Sequence, residues 1–469
     1  MSDHSYDYVV IGGGSAGYNA ASLAVRLGLK TAVIEGGKEV GGLCILRGCM
    51  PSKTLLQSAH RAESIRRAEE FGLRAEYHGA DPGRIRERKR ALIGEFADYR
   101  RKQLEGGKFD FHRGQASFLD ANTVEVRGLK GVATRVESRA FLVATGSYIK
   151  WPPIPGLREV GVLTSDDVLD SDQLPKSVIV LGGGPTALEF ATYYRGLGSQ
   201  VTVIQRSAQL LRGEDLDVAE ALRKGLEARG IRVLLDTKLL ELEKHGDKKR
   251  VHFEHLGVEC MEEAEAIVYA LGRGPFTDGL ELDRAGVTLR SDCSICVDER
   301  QRTTANNIFA AGDVCGPYEV VHIAIQQAEL ATRNAVRLLQ GEPEAMQPID
   351  YSLKLFAVFT EPQVGIAGLT LREAHEQKLD VIEASYPFND HGKSMVMGET
   401  DGFVKLIAER SSRRILGGAV VGPEASELIH EIVVAMAFDA TAGQLARVPH
   451  YHPTLSEIWT YPAEELAED

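Results

Sequence analysis

Residues 8–35 read YVVIGGGSAGYNAASLAVRLGLKTAVIE. An apolar run leads into glycines at 12, 14 and 17, a stretch rich in alanine and leucine follows, and a second apolar run ends at Glu35. The order predicts strand, glycine turn, helix, strand, which is the dinucleotide-binding βαβ unit. Gly12 permits the tight turn, Gly14 lets a pyrophosphate approach the backbone, and Gly17 keeps the helix close to the strand. The helix N-terminus then stabilises the phosphate charge.

The pattern returns once. Residues 178–205 read VIVLGGGPTALEFATYYRGLGSQVTVIQ, with Gly182 and Gly184 matching Gly12 and Gly14 at an offset of 170, and Ala187 in place of Gly17. Two such units predict two Rossmann-like domains in an α/β chain. The strand ends differ. Glu35 can accept hydrogen bonds from both hydroxyls of an adenosine ribose, so the first unit is expected to hold an unphosphorylated ribose. Gln205 carries no charge, and Arg206 and Arg212 follow it. Two arginines there suit a ribose 2′-phosphate, or are surface residues of a loop.

The stretch GGLCILRGCMPSK, residues 41–53, places Cys44 and Cys49 five positions apart. A structural disulfide, a metal site and a redox pair are the alternatives. Six cysteines among 469 residues make no disulfide framework. A metal site needs about four ligands, and no Cys or His cluster adjoins the pair, so no metal is expected. Pro51 marks the first turn of a helix, which puts Cys49 at or beside a helix N-terminus, where the dipole lowers a thiol pKa. Arg47 lies between the thiols, either tuning them, attracting an anionic substrate or facing solvent. Cys293 and Cys296 read as structural or incidental, Cys260 and Cys315 as buried or incidental.

Net charge is -13, with 43% hydrophobic and 26% charged residues. This balance argues against nucleic-acid or anionic-membrane partners. No basic leader and no uninterrupted apolar stretch of membrane-spanning length are seen, so a cytoplasmic protein is expected. Residues 84–102, RIRERKRALIGEFADYRRK, are read as an amphipathic helix with a solvated basic face. Residues 141–156 read as a strand, a small-residue turn and a proline-rich domain boundary. Residues 308–314, IFAAGDV, read as a buried strand ending in Asp313, which either binds sugar-like hydroxyls or caps the next helix. Beyond about 348 the glycine motifs stop, 402–422 reads as a hairpin, and helices follow: a separate α+β domain.

Taken together, the C-x4-C-x3-K pattern at 44–53, the two fingerprints, ATG at 144–146, AAGD at 310–313 and HPTLSE at 452–457 resemble the flavin-dependent pyridine nucleotide–disulfide oxidoreductases over essentially the full length. The resemblance implies FAD at the first fingerprint, NADPH or NADH at the second, and a homodimer. It implies an FAD-binding domain over 1–150 and 276–347, an NAD(P)-binding domain over 151–275 and a dimerisation domain over 348–469. Cys49 resembles the flavin-proximal thiol and Cys44 the interchange thiol. Lys53 resembles the lysine near the flavin, paired with Glu189. His452 and Glu457 resemble an acid–base pair supplied by the opposite subunit. For FAD the resemblance further implies Gly12, Gly14, Gly17, Glu35, Ala116, Thr145, Gly146, Asp313 and Val321. For NAD(P) it implies Gly182, Gly184, Ala187, Gln205, Arg206, Arg212 and Gly272. Hydride would pass from nicotinamide to flavin and on to the disulfide, and Cys44 would exchange with a substrate disulfide.

HYHPT at 450–454 and GGAVVGPEASELIHEIVVAM at 417–436 resemble the dihydrolipoamide dehydrogenases most, which implies a small dithiol or a protein-bound lipoyl group as substrate. The chain ends PAEELAED without the C-terminal cysteine pair of mercuric reductases. Three departures stand: Leu43 and Ile45-Leu46-Arg47 around Cys44, Pro185-Thr186 beside the expected nicotinamide, and Ala187 with the two arginines. The last resembles NADPH-using reductases. The alternatives are therefore a glutathione reductase-like enzyme or a reductase of a quinone-like or metal-ion acceptor, and, of a different class, a redox sensor or complex subunit serving cell redox homeostasis.

Overall fold

Val9, Val10 and Ile11 are buried on both faces of their strand. Continuous apolar runs do this in parallel sheets covered by helices. The computed structural model describes residues 4–128 and 131–468. The chain divides into two compact units, Met1–Ser52 with Glu87–Trp151 and Gly272–Asp350, and Lys53–Arg86 with Pro152–Leu271 and Tyr351–Asp469.

In the first unit, Ser5–Ile11 lies between Thr31–Glu35 and the second half of Ala133–Val143. Residues 110–113 extend the sheet on one side and Ile308–Ala310 on the other, all parallel. Residues 114–120, Thr123–Gly128 and residues 133–137 form an antiparallel meander in the same six-stranded sheet. The helices Ser15–Arg26 and Val321–Gln340 pack through alanines: Ala16, Ala20 and Ala24 share one buried cluster with Ala324, Ala328, Ala331 and Ala335. Small side chains let helix axes come close.

The second unit repeats the parallel motif. Ser177–Leu181 lies between Ala266–Tyr269 and Gln200–Ile204, with Ile231–Leu234 beyond. A three-stranded antiparallel sheet, Thr237–His245, Lys248–His255 and Val258–Ala264, follows. From Leu355 on, five antiparallel strands run in the order Leu355–Val358, Gln363–Gly368, Ile415–Gly422, Phe403–Glu409, Val381–Pro387. The expected hairpin over 402–422 is the pair Phe403–Glu409 and Ile415–Gly422. Helix Ala425–Ala437 buries Leu428, Ile429 and Ile432 in a core with Trp459. The architecture is α/β with two Rossmann-like units and a C-terminal α+β domain.

Each glycine turn is forced by backbone crowding. Gly12 has φ +112, and a Cβ there would meet the Ala144 carbonyl oxygen at 2.3 Å; Gly182 has φ +117, with the Ala270 carbonyl oxygen at 2.4 Å. Side chains are strongly disfavoured in that conformation. The basic segment forms the helix Pro82–Glu105. Its basic face is not wholly solvated: Lys89 is 5% exposed. Among the described residues no helix is long and apolar enough to cross a membrane.

Lys405 is fully buried and joins Asp215 at 2.9 Å and Asp217 at 2.8 Å. Lys405→Met removes one partner of a buried ion cluster and leaves carboxylates uncompensated, at about 3 kcal/mol. At about 1–2 °C per kcal/mol for a chain of this size, calorimetry should find unfolding about 3–6 °C lower; an unchanged midpoint contradicts the role given to this cluster.

Candidate active site

The first glycine turn and the end of the second strand meet at Glu35. Its Oε2 accepts the Gly13 N–H at 2.8 Å and its Oε1 the Gly37 N–H at 2.6 Å. A carboxylate offers about four acceptor sites, so both oxygens keep capacity for ribose hydroxyls. Gly17 sits where a Cβ would stand 1.8 Å from the Gly12 carbonyl oxygen. Asp313 accepts a hydrogen bond from Ser147 Oγ at 2.6 Å. The next helix begins at Val321 with Val320 at its cap, so Asp313 does not cap it. Thr145 Oγ1 donates to the Phe276 carbonyl at 2.6 Å, Gly146 has φ +74, and Ala116 is buried in the strand Asp110–Asp120. The open turn, the anchored carboxylate and the strand-end aspartate fit a dinucleotide such as FAD.

The cysteine stretch rests on that turn. Gly42 has φ +75, and a Cβ on it would come within 2.5 Å of Gly14 Cα. Cys44 lies on the short helix Gly42–Leu46 and is half-buried; Cys49 opens the helix Cys49–Arg66 and is exposed. The first turn of that helix is tightened by Ser52 Oγ, which donates to the Gly48 carbonyl at 2.9 Å. Arg47 is engaged by Glu39 at 2.7 Å, so its charge is already matched. Arg100 carries no signal in the sequence beyond its place in the basic segment. Its guanidinium lies 4.1 Å over the Tyr18 ring, and burial lowers its pKa, an effect opposed by Tyr18 and Cys44.

Lys53, one turn beyond Cys49, donates to both oxygens of Glu189, at 2.8 and 2.7 Å. Glu189 is 5% exposed and also accepts the Phe359 N–H at 3.2 Å; the ammonium lies 4.6 Å from the Phe359 ring. Phe359 carries no signal in the sequence, because only tertiary folding brings it to residue 53.

At the second turn, a Cβ on Gly184 would meet nothing within 4 Å, which leaves open space before the helix Pro185–Leu197. Ala187 is fully buried, its methyl 3.6 Å from where a Gly182 Cβ would lie. Gln205 Nε2 donates to Ser207 Oγ at 2.8 Å, and Arg206 and Arg212 are exposed on the loop that follows. Gly272 has φ +118, and its carbonyl accepts the Lys150 N–H at 3.4 Å. The loop is stapled from behind. Asp215 accepts the N–H groups of Leu371 and Arg372 at 3.1 and 3.2 Å, and Arg372 donates to the carbonyls of Arg212 and Gly213. Burial, with Glu373 nearby, pushes the Glu214 carboxyl up to about 7.

Near the C-terminus, His452 Nδ1 and Glu457 Oε2 lie 3.0 Å apart. The imidazole side chain is 79% exposed and the carboxylate 11%, so the pair presents one open ring nitrogen from a buried anchor. His391, fully buried, stands 3.4 Å from the other oxygen of Glu457. Of the remaining cysteines, Cys315 is buried and its thiol pKa is pushed up to about 12 by burial. Cys293 is exposed at φ +71, while Cys260 and Cys296 are half-buried. Among the described residues no group of three or more His, Cys, Asp and Glu could hold a metal ion.

The family model described as pyridine nucleotide-disulphide oxidoreductase matches residues 6–328, and that family's dimerisation domain matches 356–463. A dihydrolipoyl dehydrogenase of Chlamydia trachomatis is 34% identical over 463 residues, covering 98% of this chain and 97% of that protein. A mercuric reductase of Bacillus cereus is 33% identical over 456 residues, 97% of this chain and 70% of that one. The solved HOCl-induced flavoprotein disulfide reductase RclA of Escherichia coli superposes with a TM-score of 0.85 at 27% identity, over 98% of this chain and 99% of that one. The family is FAD-dependent and draws on NAD(P)H.

Gly42→Ala should therefore disturb flavin binding. The left-handed φ costs about 1–2 kcal/mol for a side chain, and the methyl displaces the Gly14 turn. The purified variant should carry clearly less FAD per chain, read from the ratio of flavin to protein absorbance. Gly246→Ala is the control: its φ is +58, but a Cβ there meets nothing within 4 Å. Equal flavin content in both variants would show that the contact does not matter. By motif, fold and full-length similarity, the chain belongs to the pyridine nucleotide–disulphide oxidoreductases, as an FAD-dependent NAD(P)H:disulfide oxidoreductase.

Proposed function

We propose that the chain exchanges electrons between NAD(P)(H) and a small dithiol or disulfide of the dihydrolipoamide type, free or as a protein-bound lipoyl group. The observation that carries this reading is the His452–Glu457 pair at 3.0 Å, with its exposed imidazole. A thiol substrate needs a base, and an imidazole anchored at Nδ1 offers its free Nε2 as one. His452 takes the proton of the first substrate thiol. The thiolate attacks Cys44, the Cys44–Cys49 bond breaks, and Cys49 leaves as a thiolate favoured by its helix N-terminus. The second substrate thiol then attacks its own mixed disulfide, releasing Cys44 and an oxidised substrate. Bound FAD supplies the two-electron link between Cys49 and the nicotinamide. Lys53, held by Glu189, places a cation one helical turn from Cys49.

In this reading residues 1–150 and 276–347 bind FAD through Gly12, Gly14, Gly17, Glu35, Ala116, Thr145, Gly146, Asp313 and Val321. Residues 151–275 bind the nicotinamide coenzyme, and 348–469 form the dimer. Cytoplasmic placement belongs to the same reading, since the redox pair must cycle as a dithiol. Each site combines Cys44 of one chain with His452 of the partner subunit. Heterodimers refolded from two inactive variants, Cys44→Ser and His452→Ala, should regain activity, because one of the two sites is then intact. A mixture as inactive as its parents refutes the shared site.

Arg206 and Arg212 favour a second reading of the coenzyme: NADPH, and with it a reductase working toward a small disulfide, a quinone-like or a metal-ion acceptor. The mercuric reductase and the RclA reductase among the similar proteins are compatible with it. A contact to a charged group is worth about 1.5–3 kcal/mol. Arg206→Ala with Arg212→Ala should therefore lower the NADPH-to-NADH ratio of kcat/KM at least tenfold. A wild-type preference for NADH, or an unchanged ratio, removes this reading. Turnover of dihydrolipoamide with NAD+ against reduction of glutathione disulfide with NADPH separates the two substrate classes.

A further inference from the structure

We propose that His391 is a positioning residue for the acid–base pair, extending it to the line Ser394–His391–Glu457–His452. The inference rests on the acid–base role proposed for His452. Glu457 is a buried carboxylate whose two oxygens face two different imidazoles: Oε2 meets His452 Nδ1 at 3.0 Å, and Oε1 meets His391 Nε2 at 3.4 Å. The two rings differ in surroundings. His452 is largely exposed, whereas His391 has no exposed surface.

His391 Nδ1 lies 2.8 Å from Ser394 Oγ, and Ser394 is also fully buried. Burial disfavours the charged imidazole and lowers its pKa, with Glu457 opposing and His452 adding to the effect. A neutral ring has one N–H. If Nδ1 carried it, Nε2 would turn a lone pair toward a carboxylate, which is repulsive. The favourable arrangement has the Ser394 hydroxyl donating to Nδ1 and Nε2–H directed at Glu457 Oε1. At 3.4 Å the Nε2–Oε1 pair is in contact but lacks the alignment of a full hydrogen bond. Such contacts are often long in unliganded sites and tighten in the reacting complex.

The other groups that face the ring are few. The Thr454 backbone also hydrogen-bonds the ring and, like Glu457, favours its charged form, and the rings of Tyr461 and Phe388 stand edge-on with centroids 6.4 Å away. Tyr461 stacks on Tyr386, whose hydroxyl donates to Asp390 at 2.9 Å. None of these replaces the donor to Oε1. The His391 N–H therefore holds the carboxylate plane so that Oε2 stays on His452. Without it the carboxylate is free to turn, and the imidazole of His452 loses its fixed orientation.

The test uses the flavin-loaded, full-length dimer of His391→Leu, His391→Gln, Ser394→Ala and His452→Ala. Two readouts are taken: turnover with dihydrolipoamide, and the rate at which iodoacetamide alkylates Cys44 in the two-electron-reduced protein. His391→Leu should lower kcat roughly tenfold, the effect of a hydrogen bond to a charged group, with KM and the alkylation rate little changed. His391→Gln, whose amide N–H reaches the same oxygen, should restore most of the lost kcat. An unchanged kcat in His391→Leu, or equal losses in the Leu and Gln variants, overturns the proposal, because packing alone would produce equal losses. Should His391→Leu fail to fold by calorimetry, Ser394→Ala decides: loss of the hydroxyl that sets the tautomer should lower kcat with KM unchanged, and an unchanged kcat overturns the proposal. If His452→Ala keeps wild-type turnover, the acid–base reading of His452 itself fails, an outcome distinct from failure of His391 alone.

Discussion

A Cβ at residue 17 would stand 1.8 Å from the carbonyl oxygen of Gly12. That contact between two stretches of backbone seats the helix Ser15–Arg26 on its strand. It also aims the unpaired N–H groups of the helix at the space in front of the turn, where a phosphate gains most from the dipole. Glu35 is tied to the same turn through the Gly13 N–H. The alanine face of the helix then allows Val321–Gln340 to pack closely behind it.

The cysteine stretch inherits its position from this turn. Gly42 approaches Gly14 so closely that it cannot carry a side chain without moving that turn. The short helix bearing Cys44 and the N-terminus bearing Cys49 follow within a few residues. A thiol pair placed this way is registered to the nucleotide turn by backbone contact, which is stiffer than a link through long side chains. The helix N-terminus adds a partial positive charge beside Cys49. Lys53 is held to Glu189 by two hydrogen bonds, so a full positive charge is kept in fixed geometry a turn away.

The second βαβ unit shows how the duplicated frame diverges. Ala187 replaces the third glycine because that helix leaves room for a methyl group. Gln205 replaces the carboxylate and turns to Ser207, so the strand end no longer repels a phosphate. The loop that follows is fixed by Arg372 of the C-terminal α+β domain and by Asp215, which accepts the N–H groups of Leu371 and Arg372. The exposed arginines therefore ride on a segment whose position is set by residues about 160 positions away.

What the amino-acid order determined by itself is local. Turn glycines, the proline after Cys49, apolar runs and the acid at a strand end act within a few residues, so spacing alone announces both βαβ units and the α+β domain, while the redox reading of Cys44 and Cys49 came through resemblance. Even the pairs Lys53–Glu189 and His452–Glu457 were reachable through resemblance. The tertiary structure decided the rest. Asp313 is a partner of Ser147 and not a helix cap; Arg100 leaves its solvated face to lie over Tyr18; Arg372 staples a loop in another domain; His391 faces Glu457 from 66 residues upstream. These contacts join residues far apart in the chain, and their energy comes from burial and exact directionality of hydrogen bonds. No local pattern encodes either, because both exist only once the chain has closed around the groups concerned.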